Sequence, residues 1–567
     1  IVEIATDKVD SEVPSTHEGK LVEQLFKVDD VVQVGDAFAI IETDGSDESD
    51  IQVENITQET VPAEKSEVQI EKEVKETIEN VVNSENKNIN STKDRFYSPL
   101  VRNMATQEGI SQDELDKING SGKNNRVTKQ DMIVYESDGT HDKGMPDYVT
   151  LPGSVDEVSK LVLLANEFKI PIIARGSGTG LSGGAVPISG GLIISLNRMN
   201  KIINIDTDNA TAEVEAGVIN LDISKKASEY GLFYAPDPSS QQACSIGGNV
   251  AENSGGPHCL AYGVTTNHIL AIEVVLPSGE VTWLGDLNKE TNGIDFRGLF
   301  IGSEGTFGIC TKVIVKLIKK PEKVQTFLVA FNDIQDAANA TTSIISSGII
   351  PAAIEMMDKT ASKAAEEGTN AGIPENSDTV LLIEIEGFEE EIKEQELLIK
   401  DIVNEFDPIE IKIATDEKER ELFWKARKGV LGALGRIAPN YFLVDGTVPR
   451  TKLAPVLSEV NKLSKKYGLV VANVLHAGDG NLHPCIIFDQ QIPGDTEKAL
   501  SLGGDILKIC VENGGVLSGE HGIGYEKKEY MPLLFSNDDM NYMKNLKIIF
   551  DKNNLFNPGK IFPSART

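Results

Sequence analysis

An α+β fold is predicted for most of this 567-residue chain, and three observations predict it. From Tyr135 onward, helical stretches with an apolar face alternate with short apolar runs of strand length, as where SVDEVSKLVLLANEFK leads into IPIIARG. Three glycine-dense loops lie against such runs, PIIARGSGTGLSGGAVP, ACSIGGNVAENSGGPHC and GLFIGSEGTFGICTKV. The chain is also far longer than one hydrophobic core usually supports, which asks for several units of roughly 100 to 200 residues each.

Composition narrows the function. Lysine and arginine number 54 against 88 aspartate and glutamate, a formal charge of −34. This argues against nucleic acid or an anionic membrane as the main partner, because both ask for a basic surface. A small anionic substrate must instead be drawn in by a local cluster of cations. No run of about 18 apolar residues occurs, so no transmembrane segment is expected. The cysteines, Cys244, Cys259, Cys310, Cys485 and Cys510, are scattered and never spaced as CxxC. This fits a cytoplasmic, reducing location and leaves the chain without ligands for an iron–sulfur cluster of its own. The chain opens at Ile1 inside a strand-like run, from which a signal peptide is not to be judged.

Residues 1–45 read as short strands with turns, apolar residues alternating with polar ones around Gly19 and Gly35. The TDK turn and the strand-like runs after it resemble the lipoyl domain of 2-oxo-acid dehydrogenase complexes, and the resemblance would put a lipoyl group on Lys8. Only half of that family's barrel is present around Lys8, so an exposed lysine at a turn is the competing expectation. Residues 46–95 are rich in Glu, Asp, Asn, Ser and Thr and form an acidic, disordered linker by composition. At 96–132, Ser98-Pro99 starts a helix and Ser111 with Glu114 reads as a capping box. SPLVR, GSGK and RVTKQD resemble the peripheral subunit-binding domain of dihydrolipoyl acyltransferases. In that family basic residues grip the dehydrogenase subunit, which implies dihydrolipoamide dehydrogenase as a partner through Arg102, Lys123, Arg126 and Lys129.

Residues 133–320 hold the glycine-dense loops. Bare backbone N–H groups directly after a strand can approach a pyrophosphate closely. The spacing is not the Rossmann one, because the first loop returns to a strand, GGLIISL, instead of opening a helix. The three loops together resemble the FAD-binding domain of vanillyl-alcohol-oxidase (PCMH) type flavoproteins, with wording nearest to glycolate oxidase catalytic subunits and D-lactate dehydrogenases. The resemblance implies FAD as cofactor, with the pyrophosphate on Gly176, Ser177, Gly178, Thr179 and Gly180 and with Arg175 at the strand end. It places Gly247, Gly248, Asn249, Asn253 and Gly256 along the flavin, Glu304 and Gly305 on the adenine side, and Asn557 returning from the C-terminus. Covalent attachment is not expected at the RGSGTG loop, and Cys244, Cys259 and His258 are the other residues able to form such a bond.

Residues 321–510 are expected to form a cap with a mixed sheet, ferredoxin-like by the same resemblance, and 511–567 to return to the flavin. HAGDGNLH joins two strand-like runs, so a hairpin would bring His476 and His483 to one side of its turn. A third ligand, Glu520 in GEHGIG, would leave open positions on a divalent ion such as zinc, manganese or iron. This resembles the metal site of flavin-linked D-2-hydroxy-acid dehydrogenases, where the histidine beside the ligand glutamate is the base, a role that falls to His521. Oxidising an alcohol needs its proton removed as hydride leaves, and a cation at the hydroxyl with an imidazole beside it meets that need. For the substrate carboxylate the sequence offers Arg427, Lys428, Arg436 and Arg450. The family's WxxR pattern selects Trp424 and Arg427. Relatives acting on 2-hydroxyglutarate carry a further lysine near Leu443, so glycolate or D-lactate, giving glyoxylate or pyruvate, is the expected substrate. Electrons would pass to an iron–sulfur or other acceptor protein. A rival expectation, from residues 1–132, is a scaffold or acyl-carrier component of a 2-oxo-acid dehydrogenase complex.

Overall fold

The computed structural model describes residues 135–286 and 293–564, together with the backbone of four short strands near the N-terminus. Those strands, β1 (Val2–Ala5), β2 (Asp10–Val13), β3 (Lys20–Gln24) and β4 (Ala39–Glu42), pair antiparallel as β1 with β2 and β3 with β4. Lys8, the linker at 46–95 and the module at 96–132 with Arg102, Lys123, Arg126 and Lys129 lie outside the described residues. The chain divides between Ile133 and Val134, and every motif assigned to flavin, metal or hydroxy-acid chemistry falls in the second unit.

The second unit opens with strands β5 (Tyr148–Thr150), β6 (Ile172–Arg175) and β7 (Leu192–Ser195) in a parallel sheet of order β5-β7-β6. The runs IIAR and LIIS are almost wholly buried, as parallel strands covered on both faces should be. The helix Val155–Phe168 crosses between β5 and β6. Ser154 accepts a hydrogen bond from the Glu157 N–H to start it, and Val158, Val162 and Ala165, spaced four and three apart, bury its apolar stripe. Next comes a five-stranded antiparallel sheet of order β12-β11-β13-β9-β8, built from β8 (Ile202–Asp206), β9 (Thr211–Glu215), β11 (Ile269–Val275), β12 (Val281–Gly285) and β13 (Ile309–Lys316). A small pair, β10 (Leu232–Phe233) with β14 (Ile318–Lys319), sits beside it. The expectation that strands flank every glycine-dense loop fails at the second one. Ser245 accepts from the Gly248 N–H as an N-cap, and Ile246–Glu252 is a short helix despite its two glycines.

The cap sheet holds β15 (Lys323–Phe331), β16 (Ala353–Asp358), β17 (Thr379–Gly387), β18 (Glu410–Ile413), β19 (Asn440–Leu443), β20 (Gly446–Thr447), β21 (Val470–His476) and β22 (Asn481–Phe488). Its order is β18-β15-β17-β16-β21-β22-β19, with β20 paired to β22. Every pair is antiparallel, which corrects the expected mixed sheet. The first four strands follow the split order of a ferredoxin-like unit. Alternation along the strands sends Phe327, Ile354, Leu381 and Leu475 to one face, under the helices Ile334–Ser346, Glu389–Asn404, Leu453–Tyr467 and Asp495–Glu512. Leu328, Met357, Leu382, Val474 and Cys485 face the other way, toward the helices Lys359–Thr369 and Glu417–Lys428. Glu355, Glu384, His476 and His483 share that second face by the same alternation. Finally the chain returns to the first sheet, where Phe556 bridges to Ile172 and the Asn557 N–H donates to the Ile172 carbonyl.

Candidate active site

One cavity of about 370 Å³ is lined by all three glycine-dense segments and by the cap. Gly176, Ser177, Gly178, Thr179 and Gly180 form one wall, directly after β6. Gly178 has φ +76°, and a Cβ there would fall 2.1 Å from Nη2 of Arg175. The positive φ is what favours glycine at this point, because the guanidinium a Cβ would meet ends a flexible side chain that can shift. Arg175 itself lines the cavity, with its guanidinium 5.7 Å from the Tyr135 ring centroid. Gly247, Gly248 and Asn249 supply a second wall from the start of the short helix. A Cβ on Gly247 would come 2.7 Å from Ala216 Cβ and 2.9 Å from its carbonyl oxygen, so glycine is what lets this helix pack against the end of β9.

Glu304, Gly305 and Asn557 complete the first half of the lining. The Asn557 amide donates to the carbonyls of Gly184 at 2.9 Å and Glu304 at 2.7 Å, and Lys560 donates to its oxygen at 2.7 Å. The Glu304 carboxylate is turned to the GEHGIG loop, where it accepts from the Ile523 N–H at 2.8 Å and the Gly524 N–H at 2.6 Å. Two residues expected beside a flavin do not reach the cavity lining. Asn253 ends the short helix at φ +57° and accepts from the Thr266 N–H, and Gly256 lies tight against the Asp237 main chain.

The cap side brings Arg427, Lys428, Leu431, Leu443, Val474, His483, Glu520 and His521 to the same cavity. Arg436 and Arg450 do not join them: each donates to a carbonyl, of Ala364 and Gly478 respectively. Cys244 lines the cavity, whereas His258 and Cys259 are absent from the lining. His258 is held between carboxylates, Nδ1 at 2.9 Å from Asp237 and Nε2 at 3.2 Å from Glu384, and stacks on Trp424. Burial opposes its charging, but Asp237 and Glu384 prevail and push its pKa up to about 10. Lys428 also lies over Trp424, its Nζ 5.3 Å from the ring centroid and 3.6 Å from Asp237.

The hairpin of β21 and β22 places His476 and His483 as expected, with ring centroids 5.0 Å apart. Glu520 Oε1 lies 3.3 Å from Nε2 of His476 and 3.4 Å from Nε2 of His483. Ligand atoms of His476, His483 and Glu520 all fall within 4.8 Å of one another. His476 Nδ1 faces both oxygens of Glu355, at 2.8 and 2.9 Å. A carboxylate only accepts, so Nδ1 carries a proton, and Nε2 meets the Glu520 carboxylate either by donating a second proton or through a cation held between them. Without a cation, burial opposes the second proton, but Glu355 and Glu520 outweigh it, favour the doubly protonated ring and raise the His476 pKa. His483 Nε2 is buried with no hydrogen-bond partner among the described residues. The donor set therefore fits a small cation, with nitrogen and oxygen ligands suited to zinc, manganese or iron. Burial would raise the Glu520 carboxyl, but His476, His483 and His521 outweigh it and hold it at about 2.

Asp445, His483 and His521 form a second such cluster, but Asp445 is already saturated. It accepts from Ser518 Oγ at 2.5 Å, from the backbone N–H groups of Gly519 at 3.1 Å and His521 at 3.0 Å, and from Lys527 Nζ at 3.0 Å. Asp445 thus fixes the loop that presents Glu520 and His521. The imidazole of His521 stacks on His483 at 5.0 Å. Burial, aided by His483 and Lys527 against the opposing pull of Asp445, brings the His521 pKa down to about 4, so it is neutral at neutral pH. Sequence reasoning does not single out Glu355 and Asp445. Their one signal is an acid inside an otherwise apolar run, AAIEMMD and YFLVDG.

Residues 146–285 match the family described as FAD binding domain, 320–561 the family described as FAD linked oxidases, C-terminal domain, and 95–132 the e3 binding domain. The glycolate oxidase subunit GlcD of Escherichia coli (strain K12) is 44% identical over 438 residues, spanning 77% of this chain and 88% of that protein. A D-lactate dehydrogenase of Anaerostipes hadrus is 33% identical over 457 residues, 78% of this chain and 94% of that protein. Among solved structures, p-cresol methylhydroxylase with substrate bound superposes with a TM-score of 0.63 at 18% identity, over 77% of this chain and 93% of that one. At that identity the likeness is one of fold, the vanillyl-alcohol-oxidase (PCMH) type.

Proposed function

Since this chain belongs to the family of FAD-linked oxidases that includes the GlcD subunits of glycolate oxidase, we propose that it oxidises a short 2-hydroxy acid, glycolate or D-lactate, to the 2-oxo acid. The observation that carries the reading is that the glycine-dense loops and Arg427, His483, Glu520 and His521 line one cavity. Bound FAD supplies the hydride acceptor, and a divalent ion supplies positive charge that acidifies the substrate hydroxyl. His476, His483 and Glu520 would hold the ion. Arg427, with Lys428 beside it, takes the substrate carboxylate and so fixes the carbon that gives up hydride. His521, neutral at neutral pH, accepts the hydroxyl proton. Leu431, Leu443 and Val474 form an apolar wall that suits the hydrogen of glycolate or the methyl of lactate and offers no cation to a second carboxylate. His521→Ala should keep FAD bound and slow flavin reduction by on the order of 10²- to 10⁴-fold. Unchanged reduction would remove His521 as the base.

Domain limits of 133–320, 321–510 and 511–567 are proposed; the oxidase matches, at 146–285 and 320–561, support the division near 320. Residues 96–132 are proposed to dock on a dihydrolipoamide dehydrogenase, supported by the e3 binding domain match. Capture of that enzyme by the intact chain, lost when Arg102 and Arg126 are changed to glutamate, would support docking. A mass shift at Lys8 would add the acyl-carrier role. No helix among the described residues is long and apolar enough to cross a membrane. A cytoplasmic enzyme, peripheral to the membrane through an iron–sulfur or other acceptor protein, is the proposed setting.

A further inference from the structure

In the cap sheet, β16 pairs with β21 so that Glu355 stands directly opposite His476. Cross-strand partners on one face have their Cβ atoms about 4.5 to 5.5 Å apart, and here that register brings a carboxylate onto an imidazole. Both Glu355 oxygens lie within 2.9 Å of His476 Nδ1. The same carboxylate reaches Arg427 on the helix Glu417–Lys428, with Oε2 2.5 Å from Nη2. Glu355 is 1% exposed, His476 3% and Arg427 6%, so bulk water competes little for the Glu355 carboxylate, while Arg427 keeps its cavity-facing side. Arg427 uses one edge of its fork on Glu355, while its Nε has no hydrogen-bond partner among the described residues.

We infer that Glu355 is a positioning residue that locks the metal-ligating imidazole of His476 and the carboxylate-binding guanidinium of Arg427 into one geometry. The inference rests on the roles proposed for those two residues. By accepting from Nδ1, Glu355 fixes the ring orientation and directs Nε2 at Glu520. By pairing with Nη2, it sets the direction in which the rest of the guanidinium meets the cavity. One rigid carboxylate thereby sets the spacing between the cation that meets the substrate hydroxyl and the cation that meets the substrate carboxylate. In a 2-hydroxy acid those two groups are on adjacent carbons, and this spacing is what the substrate class demands.

The test uses the FAD-loaded full chain with its metal. Glu355→Gln keeps the side-chain size and one acceptor oxygen but removes the charge that holds Arg427. It should retain flavin absorbance, with the melting profile of bound flavin lowered by the loss of one partner of the buried Glu355–Arg427 pair. A competing chelator should strip its metal at a concentration lower by on the order of 10- to 100-fold, and kcat for the acid should fall by a comparable factor. KM should move far less, since Arg427 is still present to attract the carboxylate. A purely structural role would lower the melting profile alone and leave the chelator titration in place. Should Glu355→Gln not retain FAD, Glu355→Asp takes its place, because the shorter carboxylate reaches one partner at a time and the same early loss of metal is expected. If the wild type loses metal and flavin reduction on chelation while the variant matches it in both chelator titration and kcat, the role of Glu355 alone is overturned. If the wild type reduces its flavin unimpaired by chelation, the metal reading of His476 falls and takes this inference with it.

Discussion

Replacing Asp445 by asparagine should loosen the loop that carries Glu520 and His521, and the size of the effect can be worked from its partners. Asp445 is fully buried and accepts from the Ser518 hydroxyl, from backbone N–H groups of the loop and from Lys527, itself 1% exposed. Burial would raise this carboxyl, but Lys527, His521 and His483 hold it well below the usual carboxylate range. Removing one partner of a buried ion pair leaves the other charge uncompensated and costs about 3–5 kcal/mol. Asparagine keeps one acceptor oxygen for the backbone donors, which puts the expected loss near the lower figure. Denaturant unfolding at a fixed excess of FAD, followed by flavin fluorescence, measures it, and pre-steady-state flavin reduction should slow in parallel. Lys527→Met in the same background removes the orphaned ammonium, so the double variant should recover stability, with a coupling of about 1–3 kcal/mol. A loss below about 1 kcal/mol in Asp445→Asn, or strictly additive effects of the two changes, would refute the claim that this pair holds the loop.

Other consequences are open to simpler measurements. Gly247→Ala should lower FAD retention through gel filtration, because its Cβ would meet the Ala216 main chain; full retention would show that the short helix is not part of the cradle. His258 has a folded-state pKa of about 10 against an ordinary 6.5, so between those values the folded chain holds a proton that the unfolded chain releases. The stability this contributes is fully present below about 6.5 and is lost as pH rises through about 10, with a slope of at most about 1.4 kcal/mol per pH unit. Melting temperatures from neutral pH to about 10 should show this decline in the wild type and a flatter one in His258→Gln; parallel curves would show that His258 has no part in it.

How much of this was legible in the sequence depends on how far apart partners lie along the chain. RGSGTG, HAGDGNLH and GEHGIG are local, and each carries its backbone requirement and its chemistry within a few residues. Glu355 meets His476 across 121 residues and His258 meets Glu384 across 126, separations at which one sequence gives no register. The helix Ile246–Glu252 is hidden by Gly247 and Gly248, poor helix formers, whose propensity the Ser245 cap and packing against β9 override. Strands separated by helices suggest parallel neighbours in the cap. In the observed split order each crossover skips a strand, and the skipped strand inserts antiparallel between the two it joins.

The most direct measurement is an anaerobic titration of the oxidised-flavin absorbance of the purified full chain with glycolate, D-lactate, L-lactate and D-2-hydroxyglutarate in turn, each with and without chelator. Bleaching by glycolate or D-lactate, abolished by the chelator and restored by a divalent metal, is the predicted result. A flavin band that none of the acids bleaches, with metal replete, would contradict the assignment of this site to short 2-hydroxy acids.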